Sequence, residues 1–226
     1  MVFPNSTATG VNGDLIATST NNGAEAQAVL VVGADGHIKG TKNTYVAIYK
    51  LADVAGATAL SIAFTANQER QIATLRHAAT SERRKTIKRI EFYISATAAT
   101  ILNIELRRIT SAPTAGAGSV AINPTPHVSD HVASDAVAIA LPATAGLYAA
   151  NTPLFAQEIN LGANTAQTTG FSVQPIVIFP PTGMPADDDL FEPVIRALTL
   201  EGYAVSLRST AIATIKGTVR IIYTEE

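Results

Sequence analysis

Ile90-Glu91-Phe92-Tyr93-Ile94 and Leu102-Asn103-Ile104-Glu105-Leu106-Arg107 decide how this chain is read. In each, apolar residues fall on every second position, the spacing that puts one set of side chains on each face of a pleated strand. The link from Ser95 to Thr100 is rich in Ala and Thr, so the two segments are predicted to form a hairpin with a loose loop. The same rhythm recurs on either side. Tyr45, Ala47 and Tyr49 alternate with Val46, Ile48 and Lys50, and Leu60, Ile62 and Phe64 follow a small-residue turn around Gly56. Further on, Phe171, Val173 and Ile176 to Phe179 precede Pro180-Pro181-Thr182-Gly183, which ends a strand. Val194 to Leu200 and Tyr203 to Arg208 read as a second hairpin about Glu201-Gly202. Gly217 to Thr224 closes the chain with Val219, Ile221 and Tyr223 on one face and Thr218 and Arg220 on the other. Ile222 makes that second face partly apolar, so this strand is expected to lie centrally or against a neighbour.

About eight to ten short strands separated by turn signals predict an all-β chain, a β-sandwich or jelly-roll-like domain with an extended N-terminal arm. Residues 1–43 read as an arm or hairpin packed on a neighbouring subunit. Their strand candidate, Ala26 to Val32, sits between Asn21-Asn22-Gly23 and Gly33-Ala34-Asp35-Gly36, pairs that tolerate the positive φ of tight turns. The region has too few large apolar residues to hold itself together. Residues 44–226 form the sandwich domain, with a loop-rich insertion around 111–168. There Ser111 to Gly116 and Pro124-Thr125-Pro126 read as loop. Val132 to Leu141 fits strand or helix, and its alternation of Val137, Ile139 and Leu141 favours strand. Asn67 to Arg84 has room for a helix, since Ile72, Leu75 and Ala79 share one helical face, or for a connecting loop.

Composition narrows the function. The 226 residues contain no Cys, which removes disulfides, thiolate metal sites and Cys nucleophiles. A formal charge of −2 and a pI near 6.1 give no global basic field for nucleic acid or anionic membrane. The longest apolar runs, such as Ala28 to Val32 and Ile176 to Phe179, fall far short of a membrane helix, and the opening Met1 to Thr7 carries no secretory pattern. Charged residues are 15% of the chain, against roughly 25% in an ordinary domain. Either the subunit buries much of its outside against neighbours or its exposed face is built of Thr, Ser and Asn. Depletion of charge at interface cores favours the first, and with it a homo-oligomer.

No constellation of catalytic weight stands out, and no catalytic, cofactor-binding or metal residue is assigned. His127 and His131, with Asp130 and Asp135 beside them, have a spacing that could ligate zinc on a helix, but they follow two prolines in a segment without helical periodicity. Asp187, Asp188 and Asp189 offer carboxylates to a hard cation, yet three consecutive side chains diverge, and a solvated acidic turn is the plainer reading. Arg83, Arg84, Lys85, Lys88 and Arg89 make one basic cluster, with Arg107 and Arg108 expected across the hairpin; a subunit contact or solvated patch fits better than phosphate binding. There is no Gly-x-Ser-x-Gly elbow and no phosphate-binding glycine loop, so no enzyme is expected. A glycan-binding sandwich would draw on Tyr45, Tyr49, Tyr93, Tyr148 and Tyr203, several of which fall on expected core faces.

The segment Arg89 to Ile94, the segment Leu106 to Ile109 with Thr110-Ser111-Ala112-Pro113-Thr114-Ala115-Gly116, and the ending Glu201 to Arg208 and Gly217 to Glu226 resemble small virion structural proteins of tailed bacteriophages. Tyr223 stands in the last strand where such proteins often carry Trp. The resemblance implies a head decoration (cement) protein, a trimer bound to the major capsid protein in the virion and assembled in the host cytoplasm. A tail or baseplate component is the neighbouring possibility. No cofactor, membrane or nucleic acid is implied.

Overall fold

The computed structural model describes residues 8–9, 15–21, 24–29, 43–50, 62–80, 82–127, 132–163, 176–180, 192–196 and 199–226. The chain divides into two units, Met1–Lys42 with Glu226, and Asn43–Glu225.

The first unit contains β1 (Ala8–Thr9), β2 (Leu15–Asn21) and β3 (Ala24–Val29) in one antiparallel sheet of that order. β2 and β3 pair antiparallel, with Asn21 opposite Ala24. The strand predicted from Ala26 thus begins two residues earlier.

The second unit is a β-sandwich of two antiparallel sheets packed against each other. Its strands are β4 (Asn43–Lys50), β5 (Ile62–Phe64), β6 (Glu69–Arg76), β7 (Lys85–Ala96), β8 (Thr100–Ile109), β9 (Val120–Ile122), β10 (Thr125–Pro126), β11 (Val137–Ala140), β12 (Phe155–Leu161), β13 (Ile176–Phe179), β14 (Val194–Ile195), β15 (Gly202–Ser209) and β16 (Ala213–Glu225). Sheet I has the order β10-β4-β16-β7-β13, with β5 beside β16 and β14 beside β7. Sheet II has the order β12-β8-β15-β6-β11-β9. The alternation read from sequence sets the core: Tyr45, Ala47 and Tyr49, Ile90, Phe92 and Ile94, Leu102, Ile104 and Leu106, and Val219, Ile221 and Tyr223 are all buried. β16, flanked by β4 and β7, is central, as its two-faced pattern predicts.

Several expectations need correction. Residues 90–94 and 102–107 are not a hairpin: β7 lies in sheet I and β8 in sheet II. Period two specifies which face is buried, and that condition is met equally by two strands that face each other across a core. Thr97-Ala98-Ala99 also lacks the Gly or Asn that a tight hairpin turn requires. The link is an arch, and Thr210-Ala211-Ile212 between β15 and β16 makes a second one alongside it. The Thr97 N–H donates to the Thr214 carbonyl at 3.0 Å, and the Thr214 N–H donates to Thr97 Oγ1 at 3.0 Å. Thr100 Oγ1 and Ser209 Oγ, 2.8 Å apart, join the same two crossings. The connector hydroxyls therefore satisfy backbone groups that leave one sheet before reaching the other.

The second expected hairpin also fails. β14 pairs with β7 in sheet I, whereas β15 pairs with β6 and β8 in sheet II. Gly202 is a buried strand residue opposite Arg76 and Ile109, and a Cβ there would lie 2.5 Å from both Arg76 Cβ and the Leu75 carbonyl oxygen. It is a point of close backbone approach that reads in sequence like a turn. The helical reading of 67–84 gives way to β6. The side chains from Gln71 to Leu75 are buried on both faces of that strand, which erases the period-two signal.

The segment 111–168 supplies β9, β10, β11 and β12 to both sheets. Val137–Ala140 is the strand its alternation favours. The following connection covers the outer face of β6: Gln71 Nε2 donates to the Gly146 carbonyl at 2.8 Å, and the Gly146 N–H donates to Gln71 Oε1 at 2.9 Å. Leu60, Phe171 and Val173 lie outside the described residues.

Candidate functional site

The densest chemistry in the second unit gathers where β7 begins and β16 ends. A register shift in the β7/β16 pairing, between Ile222 and Tyr223, sets Ile222 opposite Arg89 and Tyr223 opposite Ile87. This bulge at Lys88 reverses the parity of β7, so that Ile87 is buried as well as Ile90, and Lys85 follows Ile87 inward. In β16, Glu225 continues the inward series Val219, Ile221, Tyr223 and pairs directly with Lys85. A cation and an anion are thereby set side by side in the interior, each side chain 0% exposed.

Lys85 Nζ donates to Asp135 Oδ1 at 2.5 Å and to the Arg83 carbonyl at 3.1 Å, and lies 3.9 Å from Glu225 Oε1. Arg83 Nη1 reaches Glu225 Oε2 at 3.3 Å. Ser134 Oγ donates to Glu225 Oε1 at 2.5 Å, and Tyr223 OH is 2.6 Å from the same Ser134 oxygen. The single hydroxyl proton of Ser134 is committed to Glu225, so Tyr223 is the donor in that second bond. Tyr45 stacks on Tyr223 with ring centroids 5.7 Å apart, and its hydroxyl donates to the Val132 carbonyl at 2.7 Å. Burial, and then the Glu225 charge, pushes both phenols above their ordinary range. Behind Arg83, buried His77 has both ring nitrogens 2.7 Å from carbonyl oxygens, those of Ala78 and Arg83. The centre thus ties the ends of β7 and β16 to the segment leading into β11. The buried Lys85 and Glu225 charges hold only while they keep each other and the partly exposed Asp135 and Arg83 as partners.

The expected basic patch is dispersed. Lys88 pairs with Glu192, and Arg89 and Arg220 both pair with Glu91, at 2.6 and 3.2 Å. Arg107 and Arg108, expected across a hairpin from the cluster, instead lie in sheet II, because β8 belongs to that sheet. Arg107 pairs with Glu105 at 2.5 Å and covers the Tyr148 ring at 4.7 Å, while Arg108 pairs with Glu201. Tyr148 OH donates to Glu69 at 2.6 Å, and Arg208 lies 3.1 Å from the same carboxylate. Burial raises the Glu69 carboxyl, but the bonds from Tyr148 and Arg208 and the Arg107 charge outweigh it and hold the group below its usual 4.5. The native state therefore binds the Glu69 proton less readily than the unfolded chain. Its contribution is present above the unfolded value and is lost as pH falls through the lowered one. Glu69→Gln is expected to weaken the protein near neutral pH by an amount that shrinks as pH falls through the lowered carboxyl range, measured by urea unfolding across an acid pH series.

Of the other sequence candidates, His127 is exposed, its N–H bonded to the Thr44 carbonyl at 2.8 Å. His131, Asp130 and Asp187, Asp188 and Asp189 lie outside the described residues. Asp135 belongs to the Lys85 centre. Among the described residues no group of three His, Asp or Glu is placed to hold a metal. Tyr45, Tyr49 and Tyr203 are buried, and Tyr93 and Tyr148 are partly so. Sequence reasoning placed Tyr223 on the inner face of the last strand but did not single out Glu225, Ser134 or His77. Glu225 carries a signal, since it shares the parity of Val219, Ile221 and Tyr223; Lys85 carries none, because its inward direction depends on the bulge. Among the described residues no helix is long and apolar enough to cross a membrane. No protein-family model, curated protein or solved structure matches this chain.

Proposed function

We propose that this chain is a non-enzymatic structural subunit of a tailed-phage virion, a head decoration protein that binds the major capsid protein as a homotrimer. The reading rests on the resemblance of its strand segments to such proteins, and one observation on the fold carries it further. The border of sheet II beyond β8 exposes two large apolar side chains. Among the described residues β12 ends the strand order, and residues 147 to 154 run beside β8, with Thr110 N–H bonded to the Leu147 carbonyl and Leu154 N–H to the Leu106 carbonyl. Leu147 and Leu154 are 68% and 56% exposed there. Large apolar side chains left exposed at a sheet border suit association with another chain. The strand-borne charges, by contrast, are largely spent on bracing the sandwich internally. A subunit of this kind works by adding contact area across joints of a shell, and hydrophobic burial of about 25 cal/mol per Å² is multiplied over many copies.

Co-sedimentation with heads of the encoding phage that lack the protein tests this reading. Wild type is expected to bind saturably, and Leu147→Asp with Leu154→Asp to lose binding while stability changes by no more than about 0.5 kcal/mol, as exposed substitutions do. Wild type that stays in the supernatant at every head concentration would remove the reading.

A further inference from the structure

The Lys85 centre has the composition and geometry of a self-condensing site. We propose that Lys85 Nζ and the Asp135 carboxyl carbon join in an intramolecular amide, with Glu225 relaying the proton. Three observations carry the inference. The nitrogen and one Asp135 oxygen are 2.5 Å apart, so the carboxyl carbon is no more than one further bond from the amine and a small rotation of the carboxyl brings it to attack distance. Lys85 is wholly buried, and its Nζ is further held by the Arg83 carbonyl, so the amine has little freedom to leave. Glu225, also buried, is 3.9 Å from the same nitrogen, and its two oxygens are engaged by Ser134 and Arg83. The shorter contact, 2.5 Å to Asp135 against 3.9 Å to Glu225, makes Asp135 the acyl group and leaves Glu225 the proton carrier.

The step balances without any co-reactant. An ammonium proton of Lys85 passes to Glu225, and the freed nitrogen pair attacks Asp135 Cγ, forming the C–N bond. The tetrahedral intermediate loses a second nitrogen proton, and a carboxyl oxygen departs. That oxygen collects both protons, one of them returned by Glu225, and leaves as water. From the ion pair to amide plus water, no atom or electron is gained, and Glu225 ends as it began. Asp135, with 31% of its side chain exposed, gives the water a way out, whereas the buried nitrogen side limits the reverse reaction. The product links the start of β7 to the segment before β11, closing a covalent loop from 85 to 135. Its formation is independent of any capsid partner.

Intact mass measured under denaturing conditions tests this directly. Wild type is expected to be lighter than its sequence mass by one water, and proteolysis should yield a branched peptide joining residues 85 and 135. Lys85→Arg, Asp135→Ala and Glu225→Gln should each return the full sequence mass. For Glu225→Gln, cooperative unfolding should accompany that mass, which separates loss of proton relay from loss of fold. A wild-type mass equal to the sequence mass would overturn the proposal. So would a one-water deficit carried by a linear peptide, the mark of a succinimide at Asp135, or an unchanged deficit in folded Glu225→Gln.

Discussion

Lys85→Met is expected to lower the stability of the second unit by at least about 3 kcal/mol, the cost of breaking a buried ionic set by removing one member. Met fills nearly the volume of the lysine stem, so little of the loss comes from packing. What disappears is the nitrogen that Asp135 and Glu225 share. Asp135 can turn to water, but the Glu225 side chain is fully buried and is left to Arg83 and Ser134. Where Lys85 and Asp135 are joined, the lost cross-link adds to this cost. A second substitution, Glu225→Gln, removes the stranded charge while keeping an acceptor for Ser134, and should return part of the stability. Urea unfolding with an unchanged m-value is the measurement. A loss below about 1 kcal/mol for Lys85→Met would mean the centre is hydrated and its ionic bonds are of surface strength.

Gly217→Val should be comparably damaging, for a backbone reason. Gly217 has φ of +143° in the middle of β16, and a Cβ there would lie 1.9 Å from the Tyr93 carbonyl oxygen and 2.8 Å from Ile94 Cα. No rotamer relieves a clash between a Cβ and a neighbouring backbone. The strand must move away from β7 where Gly217 faces Ile94, next to the buried Ile215 and Val219. Strain of about 1–3 kcal/mol for the conformation, added to the displaced pairing, gives an expected loss of order 3 kcal/mol or more. Thermal unfolding resolves a change of this size. Wild-type stability in the variant would show that β16 can shift freely against β7, contrary to its central place in sheet I.

The two positions mark where sequence stops being legible. Alternation identified the core of β4, β7, β8 and β16 residue by residue, because burial on one face of a strand leaves a direct period-two trace. Sheet membership left no such trace. Ile90 and Leu102 face a common interior whether their strands lie side by side or across from each other, and only the missing turn residues in Thr97-Ala98-Ala99 argued for the second arrangement. Gly202 reads as a turn and Gly217 as the start of a strand that in fact begins at Ala213, because glycine signals freedom of φ or lack of a Cβ alike. β6 was hidden by burial on both faces, one of them under the Gly146 connection. The ionic centre was hidden by the bulge at Lys88. Counted by strict alternation from Ile90, Lys85 falls on the outer face among other cations, where a solvated or contact patch is the natural expectation; one extra residue in register turns it inward to meet Glu225.

That the chain acts as a member of an assembly is tested most directly by the native mass of the purified full-length protein at micromolar concentration. A discrete homotrimer that Leu147→Asp with Leu154→Asp converts to folded single chains is the predicted result. A wild-type protein that remains a single chain throughout the micromolar range would contradict the account.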